Sequence, residues 1–199
     1  MRAFAGLGGF RPVGSYVRVR ATAFAVAVAV AVGAVGAGAG CGPKVADGAA
    51  VGVSDKPGET LPANPVTYLF DALDERPVSS LAHRGKPTIL AFVTTGDIVG
   101  QAQIDYLVAM AKNDGAKVNY ALIALHPRKE IPIVQAYATA LKVEFPVALG
   151  DALAMGSMGP FGEIAAVPTV VVLDREGRII WKHTGLAKAD ELRGHMRRL

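Results

Sequence analysis

Cysteine occurs once in this chain, at Cys41. Dithiol–disulfide exchange needs an attacking thiolate and a second thiol to resolve the mixed disulfide. A pair of vicinal cysteines is therefore excluded. Acidic residues are missing from positions 1–40, where Arg2, Arg11, Arg18 and Arg20 stand alone. Those arginines account for the whole formal charge of +4, and from Cys41 onward 17 basic residues face 17 acidic ones. The domain thus lacks the clustered positive footprint with interleaved aromatics that meets phosphate, and no nucleic-acid partner is expected. His83, His126, His183 and His195 are scattered, with no cysteine beside any of them, so neither a metal site nor a cofactor is expected.

What is present at the start is ordered. The arginines are followed by an uncharged stretch from Ala21 to Gly40 whose apolar half fades into glycine and alanine. Positive, apolar and then small residues make the pattern of an export signal. The second half grips hydrocarbon poorly, which favours cleavage over a permanent transmembrane helix. Gly38-Ala39-Gly40-Cys41 resembles the lipobox of bacterial lipoproteins, although Gly38 stands where that family usually carries a larger aliphatic residue. The resemblance implies cleavage after residue 40 and acyl chains on Cys41. It also implies attachment to a membrane of the cell envelope facing the periplasm, with Gly42 favouring the outer membrane. An ordinary signal peptide cut nearby and an uncleaved anchor are the two other export readings of the same pattern.

Gly42 to Ala63 is rich in glycine, alanine, proline and isolated charges without a sustained apolar period, so residues 41–63 are expected to form a flexible tether. Its r.m.s. span as a coil would be roughly 25 Å. Beyond it the elements alternate. Thr88–Val93, Val118–Leu125 and Thr169–Leu173 are continuous apolar runs of strand length, as expected for strands buried on both faces. Ile104, Leu107, Val108 and Ala111 predict one amphipathic helix; Ile133, Ala136, Tyr137, Ala140 and Leu141 predict a second, with Pro132 in its first turn. Asp174-Arg175-Glu176-Gly177 reads as a turn, residues 178–183 as another strand, and Leu192, Met196 and Leu199 as the stripe of a last helix. The alternation predicts an α/β layered domain.

Ala166-Val167-Pro168-Thr169-Val170-Val171-Val172-Leu173-Asp174-Arg175-Glu176-Gly177-Arg178 resembles a strand-and-hairpin segment of the thioredoxin-like superfamily, most of all its exported TlpA/ResA group, with the redoxin domains close behind. Phe145-Pro146-Val147 resembles the short strand that precedes it. The resemblance covers residues 64–199 and implies a thioredoxin-like fold: a central mixed sheet flanked by helices, with a cis bond between Val167 and Pro168 facing the site. Where the family continues its first buried strand into Trp-Cys-x-x-Cys, this chain has Asp97-Ile98-Val99-Gly100. Asp97 occupies the attacking position and Gly100 the resolving one. Thr94-x-x-Asp97 likewise echoes the peroxiredoxin Thr-x-x-Cys without its sulfur.

Asp97 has two readings: a carboxylate of another chemistry, acting with Thr94 or Thr95, or an N-cap accepting orphan amides of the helix that follows. Gly156-x-x-Gly159-x-x-Gly162 lacks the strand–helix setting of a phosphate cradle and reads as a loop. Trp181 reads as packing. The expectation is a redox-inactive, lipid-anchored envelope protein that binds a protein or peptide through Thr95, Gly96, Asp97, Val167 and Pro168. An accessory to an oxidoreductase and a non-cysteine enzyme are the alternatives. Intact-mass analysis of the protein from its native envelope should show a mature, acylated N-terminus at Cys41, and Cys41→Ser should abolish membrane partition. A mature N-terminus elsewhere, or unchanged partition, rejects the lipid assignment.

Overall fold

The three continuous apolar runs form the centre of one mixed sheet. The computed structural model of the chain describes residues 52–56, 59–150 and 159–197. In chain order the strands are β1 (Val53–Ser54), β2 (Leu69–Ala72), β3 (Val78–Ser79), β4 (Thr88–Val93), β5 (Asn119–Ala124), β6 (Val147–Leu149), β7 (Thr169–Leu173) and β8 (Ile179–Thr184). The helices are α1 (Ser80–His83), α2 (Ile98–Asp114), α3 (Ile131–Ala140) and α4 (Ala189–Met196). Among the described residues the strand order is β1-β8-β7-β4-β5-β6-β2-β3. β4, β5 and β6 run parallel, each pair joined by a helix, while β7 returns antiparallel beside β4.

Every residue of β4 is buried. Alternation sends Ile89, Ala91 and Val93 into one apolar cluster and Leu90 and Phe92 into another. The first cluster takes Ile104 and Leu107 of α2, Val134 of α3 and Leu192 of α4, so these three helices cover one face. The opposite face is covered by the chain from Leu61 to Phe70 and by Phe161. Phe161 lies edge-on to Phe92 at 5.4 Å and stacks on Phe70 at 6.1 Å, filling that layer with rings where no long described helix packs.

α2 is pinned to the connection between β8 and α4 by an amide that the apolar pattern does not reveal. Gln103 is fully buried; its Nε2 donates to the Ala187 carbonyl at 3.2 Å and its Oε1 accepts from the Ala187 N–H at 2.7 Å. Both ends of the side chain are thereby satisfied, which a buried amide requires.

Two expectations need correction. The segment expected as a free tether is packed where it is described. Val53 and Ser54 pair in parallel with Trp181 and Lys182, Asp55 N–H donates to the Lys182 carbonyl, and Leu61 is buried. The physical reason is an inward-pointing cation. Lys182 is buried in β8, its Nζ donating to a Glu59 carboxylate oxygen and to the Glu163 carbonyl at 2.7 Å, while Ser54 Oγ donates to the other Glu59 oxygen at 2.6 Å. Burial pushes the Glu59 carboxyl up, but Lys182 and Ser54 outweigh it and hold the group below the usual carboxylate range. A buried lysine needs such partners, and the segment supplies them. The second correction concerns α3. The helix is where it was expected, but Ile133, Ala136 and Ala140 are exposed; Val134 is buried, with Ile131, Tyr137, Ala138 and Leu141 packed beside it.

Cys41 and the leader lie outside the described residues, as do Gly156 and Leu199. Trp181 packs as expected, stacked between His183 and His195 at 5.2 and 4.6 Å.

Candidate functional site

The site follows from where β4 ends. The register pairs Phe92 with Thr169, so the residues after Phe92 and those before Thr169 leave the sheet side by side. This brings Thr95, Gly96 and Asp97 to the same end of the sheet as Val167 and Pro168, and the Val167–Pro168 bond is cis. α2 and α3 both begin at this end, because each follows the carboxyl end of a parallel strand. Such crevices beyond the carboxyl ends of parallel strands are where open α/β sheets place ligands.

Asp97 is the N-cap of α2. Its Oδ1 accepts from Val99 N–H at 3.0 Å and its Oδ2 from Gly100 N–H at 2.9 Å. The capping reading thus describes both oxygens, and the carboxylate has no lone donor-free oxygen aimed at a substrate. Gly100 is part of the same device. A Cβ placed there would stand 3.1 Å from Asp97 Oδ2, tighter than ordinary contact, so the absence of a side chain at residue 100 makes room for the Asp97 cap.

The next two residues face outward. Ile98 is 82% exposed and Val99 45% exposed, in the first turn of α2. Val167 is half-buried and Pro168 buried, with Ala165 and Ala166 exposed just before them. Ile133, at the start of α3, adds a third exposed apolar side chain at this end of the sheet.

His126, weighed from the sequence only as a metal ligand, holds the loop, and Glu130 contacts its ring. His126 follows β5, and its Nε2 accepts the Thr95 N–H at 2.9 Å while its Nδ1 lies 2.8 Å from Glu130 Oε2. A signal existed: His126-Pro127-Arg128-Lys129-Glu130 stands immediately past the carboxyl end of a buried strand, with histidine and acid at i, i+4. Its meaning was not legible because the partner, Thr95, is 31 positions away. His126 also lines a cleft of about 840 Å³ beside Leu69, Asp71, Leu125, Arg128 and Leu149, across which Arg128 and Asp71 pair at 2.7 Å. Behind the loop, the Tyr137 hydroxyl is buried without a hydrogen-bond partner among the described residues, and burial together with the Asp97 and Asp105 carboxylates pushes it up.

The geometry can be set beside known proteins. No protein-family model matches the chain, and no curated protein is significantly similar to it in sequence. Solved structures do match. A DsbF homologue from Corynebacterium diphtheriae is 18% identical with a TM-score of 0.61, covering 68% of this chain and 86% of its own. A thiol:disulfide interchange protein of the thioredoxin family from Chlorobium tepidum is 20% identical with a TM-score of 0.59, covering 70% of this chain and 97% of its own. A secreted Mycobacterium tuberculosis disulfide oxidoreductase homologous to E. coli DsbE is 20% identical with a TM-score of 0.53, covering 66% and 96%. The chain therefore has the thioredoxin-like fold that its Val-Pro-Thr segment led one to expect. Its scaffold is like that of thiol–disulfide oxidoreductases, and its one cysteine, Cys41, precedes the domain.

The coupling between Asp97 and Gly100 is measurable. Asp97→Ala should cost about 0.5–2 kcal/mol of stability through the lost cap. Gly100→Ala should gain less than the ~1 kcal/mol that replacing a helical glycine ordinarily gives, because the new methyl presses on the cap, and should recover that gain in the Asp97→Ala background. Denaturant titration of the four proteins tests this; strictly additive effects would refute the contact.

Proposed function

We propose that this protein is a redox-inactive thioredoxin-fold module, exported and held to an envelope membrane by lipid on Cys41, that binds another protein or an extended peptide through the surface around Thr95–Val99 and Ala165–Pro168. No cofactor takes part. The observation that carries the reading is the exposure of Ile98 and Val99 on the rigid first turn of α2. Two apolar side chains held in water beside the exposed Ala165 and Ala166 offer area for a partner to bury, at about 25 cal/mol per Å² of apolar surface removed from water. An extended partner segment can add backbone hydrogen bonds at such a surface without any thiol.

Chemistry at this surface has little support. Both Asp97 oxygens accept amides of the helix, which accounts for the carboxylate as a cap, and His126 has both ring nitrogens engaged, one with Thr95 and one with Glu130. The export half of the reading is supported by the order of charge and apolarity in residues 1–40 and by the description of one similar structure as a secreted protein.

A photo-crosslinker at Gly96 or Val167 should capture one defined envelope protein, whereas the same probe at exposed Lys188 should not, and adding Ile98→Asp should remove the capture while the fold survives. The same protein should leave insulin disulfides unreduced. Equal labelling at all three positions, capture indifferent to Ile98→Asp, or insulin reduction that persists in Cys41→Ser would overturn the proposal.

A further inference from the structure

The loop that carries the proposed surface hangs on one imidazole. β5 ends at Ala124, Leu125 N–H donates to the Val93 carbonyl at 2.9 Å, and His126 N–H turns back to the Ala124 carbonyl at 2.9 Å. The backbone of His126 is therefore fixed to the end of β4, and its ring is only 13% exposed. The Thr95 N–H points at Nε2 and the Glu130 carboxylate at Nδ1. One protonation state satisfies both contacts. Nε2 must carry a lone pair to accept from a backbone amide, so the hydrogen of the neutral ring sits on Nδ1 and is donated to Glu130.

We infer that His126 is the positioning residue of the 94–97 loop and that its protonation releases the loop. The inference deepens the binding reading given above and rests on it for its biological consequence, though not for its physics. Adding a proton at Nε2 places two N–H groups head to head across 2.9 Å, and the Thr95 contact breaks. The Glu130 carboxylate, 2.8 Å from Nδ1, accepts the hydrogen on that nitrogen in either protonation state, so the Thr95 contact alone distinguishes the two. The held loop binds one proton fewer than the released loop, so acid shifts the population toward release and neutral pH holds the loop in place.

The other charged groups around the ring do not decide the balance. Arg128 and Asp71, which line the same cleft from the turn and from β2, neutralise each other at 2.7 Å. Asp97, on the loop itself, is turned into the first turn of α2. Lys129 is exposed on the turn beside Glu130. Glu130, with its side chain one-third exposed, is the carboxylate in contact. The consequence for the surface is direct, because Thr95 is the residue from which Gly96, Asp97 and Ile98 project: a partner that requires the held loop would bind at neutral pH and leave on acidification.

The test needs no partner. In the full chain held in detergent micelles, hydrogen-exchange protection of the Thr95 amide, corrected for intrinsic rate, should fall about tenfold or more between about pH 8 and about pH 5, with a midpoint that coincides with the titration of the His126 ring followed by NMR. His126→Phe, which has no ring nitrogen to accept the amide, should remove the protection at every pH. A histidine that merely fills space would keep the protection in His126→Phe and show no pH profile. Protection that stays flat through the His126 titration, or that survives in His126→Phe, would overturn the inference. Failure of the binding reading looks different: the profile would appear as described while a probe at Gly96 captures nothing at either pH.

Discussion

β4 has no free side. It is hydrogen-bonded along one edge to β5 and along the other to β7, and all six of its residues are buried. A strand so enclosed cannot slip by one residue without sending Phe92 into the helical layer and Val93 into the aromatic one. The point at which the chain leaves the sheet after Val93 is therefore fixed, and with it the origin of α2 and of the loop between them. β7 fixes the neighbouring point in the same way, since its register against β4 sets where Pro168 enters. The candidate surface is the set of residues that these two strand ends cannot bury.

Against that fixed frame, Asp97 and Gly100 meet the field that the start of α2 sets up. The start of a helix presents unsatisfied N–H groups and the positive end of the macrodipole, which stabilise a nearby thiolate and a nearby carboxylate alike. Here the anion is consumed within the fold, both of its oxygens bonded to Val99 and Gly100. Gly100 leaves the space in which Asp97 lies. The helix start is stabilised by the cap, and the residues left exposed upon it, Ile98 and Val99, are apolar. That combination is what the proposed reversible contact relies on.

The parts of this arrangement that were legible in the sequence share one property: they depend on residues close together in the chain. The runs at Thr88–Val93 and Thr169–Leu173 gave strands with those bounds, and Asp97 before a helix read correctly as a cap. What escaped depends on distant pairs. Lys182 looks like a solvent-facing residue of an alternating strand until Glu59, 123 positions away, is brought beside it. The docking of Val53–Ser54 on β8 accompanies that contact and could not be read from a glycine- and alanine-rich stretch. Gln103 meets Ala187 across 84 positions, and His126 meets Thr95 across 31. The buried face of α3 was misjudged for a related reason: nearly every residue from Ile131 to Leu141 is apolar or small, so its periodicity alone does not say which side meets the sheet.

The proposed function requires that the loop after β4 keep the geometry of a thiol-exchange site without its thiols. Placing Asp97→Cys and Gly100→Cys together in a Cys41→Ser background asks this directly, because two thiols form a disulfide only when their Cα atoms lie within about 7 Å and their Cβ vectors converge. Free-thiol counts before and after mild oxidation give the answer. The account predicts near-complete pairing, reversed by dithiothreitol, in a protein that stays folded throughout. Two thiols that remain free in the folded protein would contradict it, and would mean that the loop after β4 has left the thioredoxin geometry altogether.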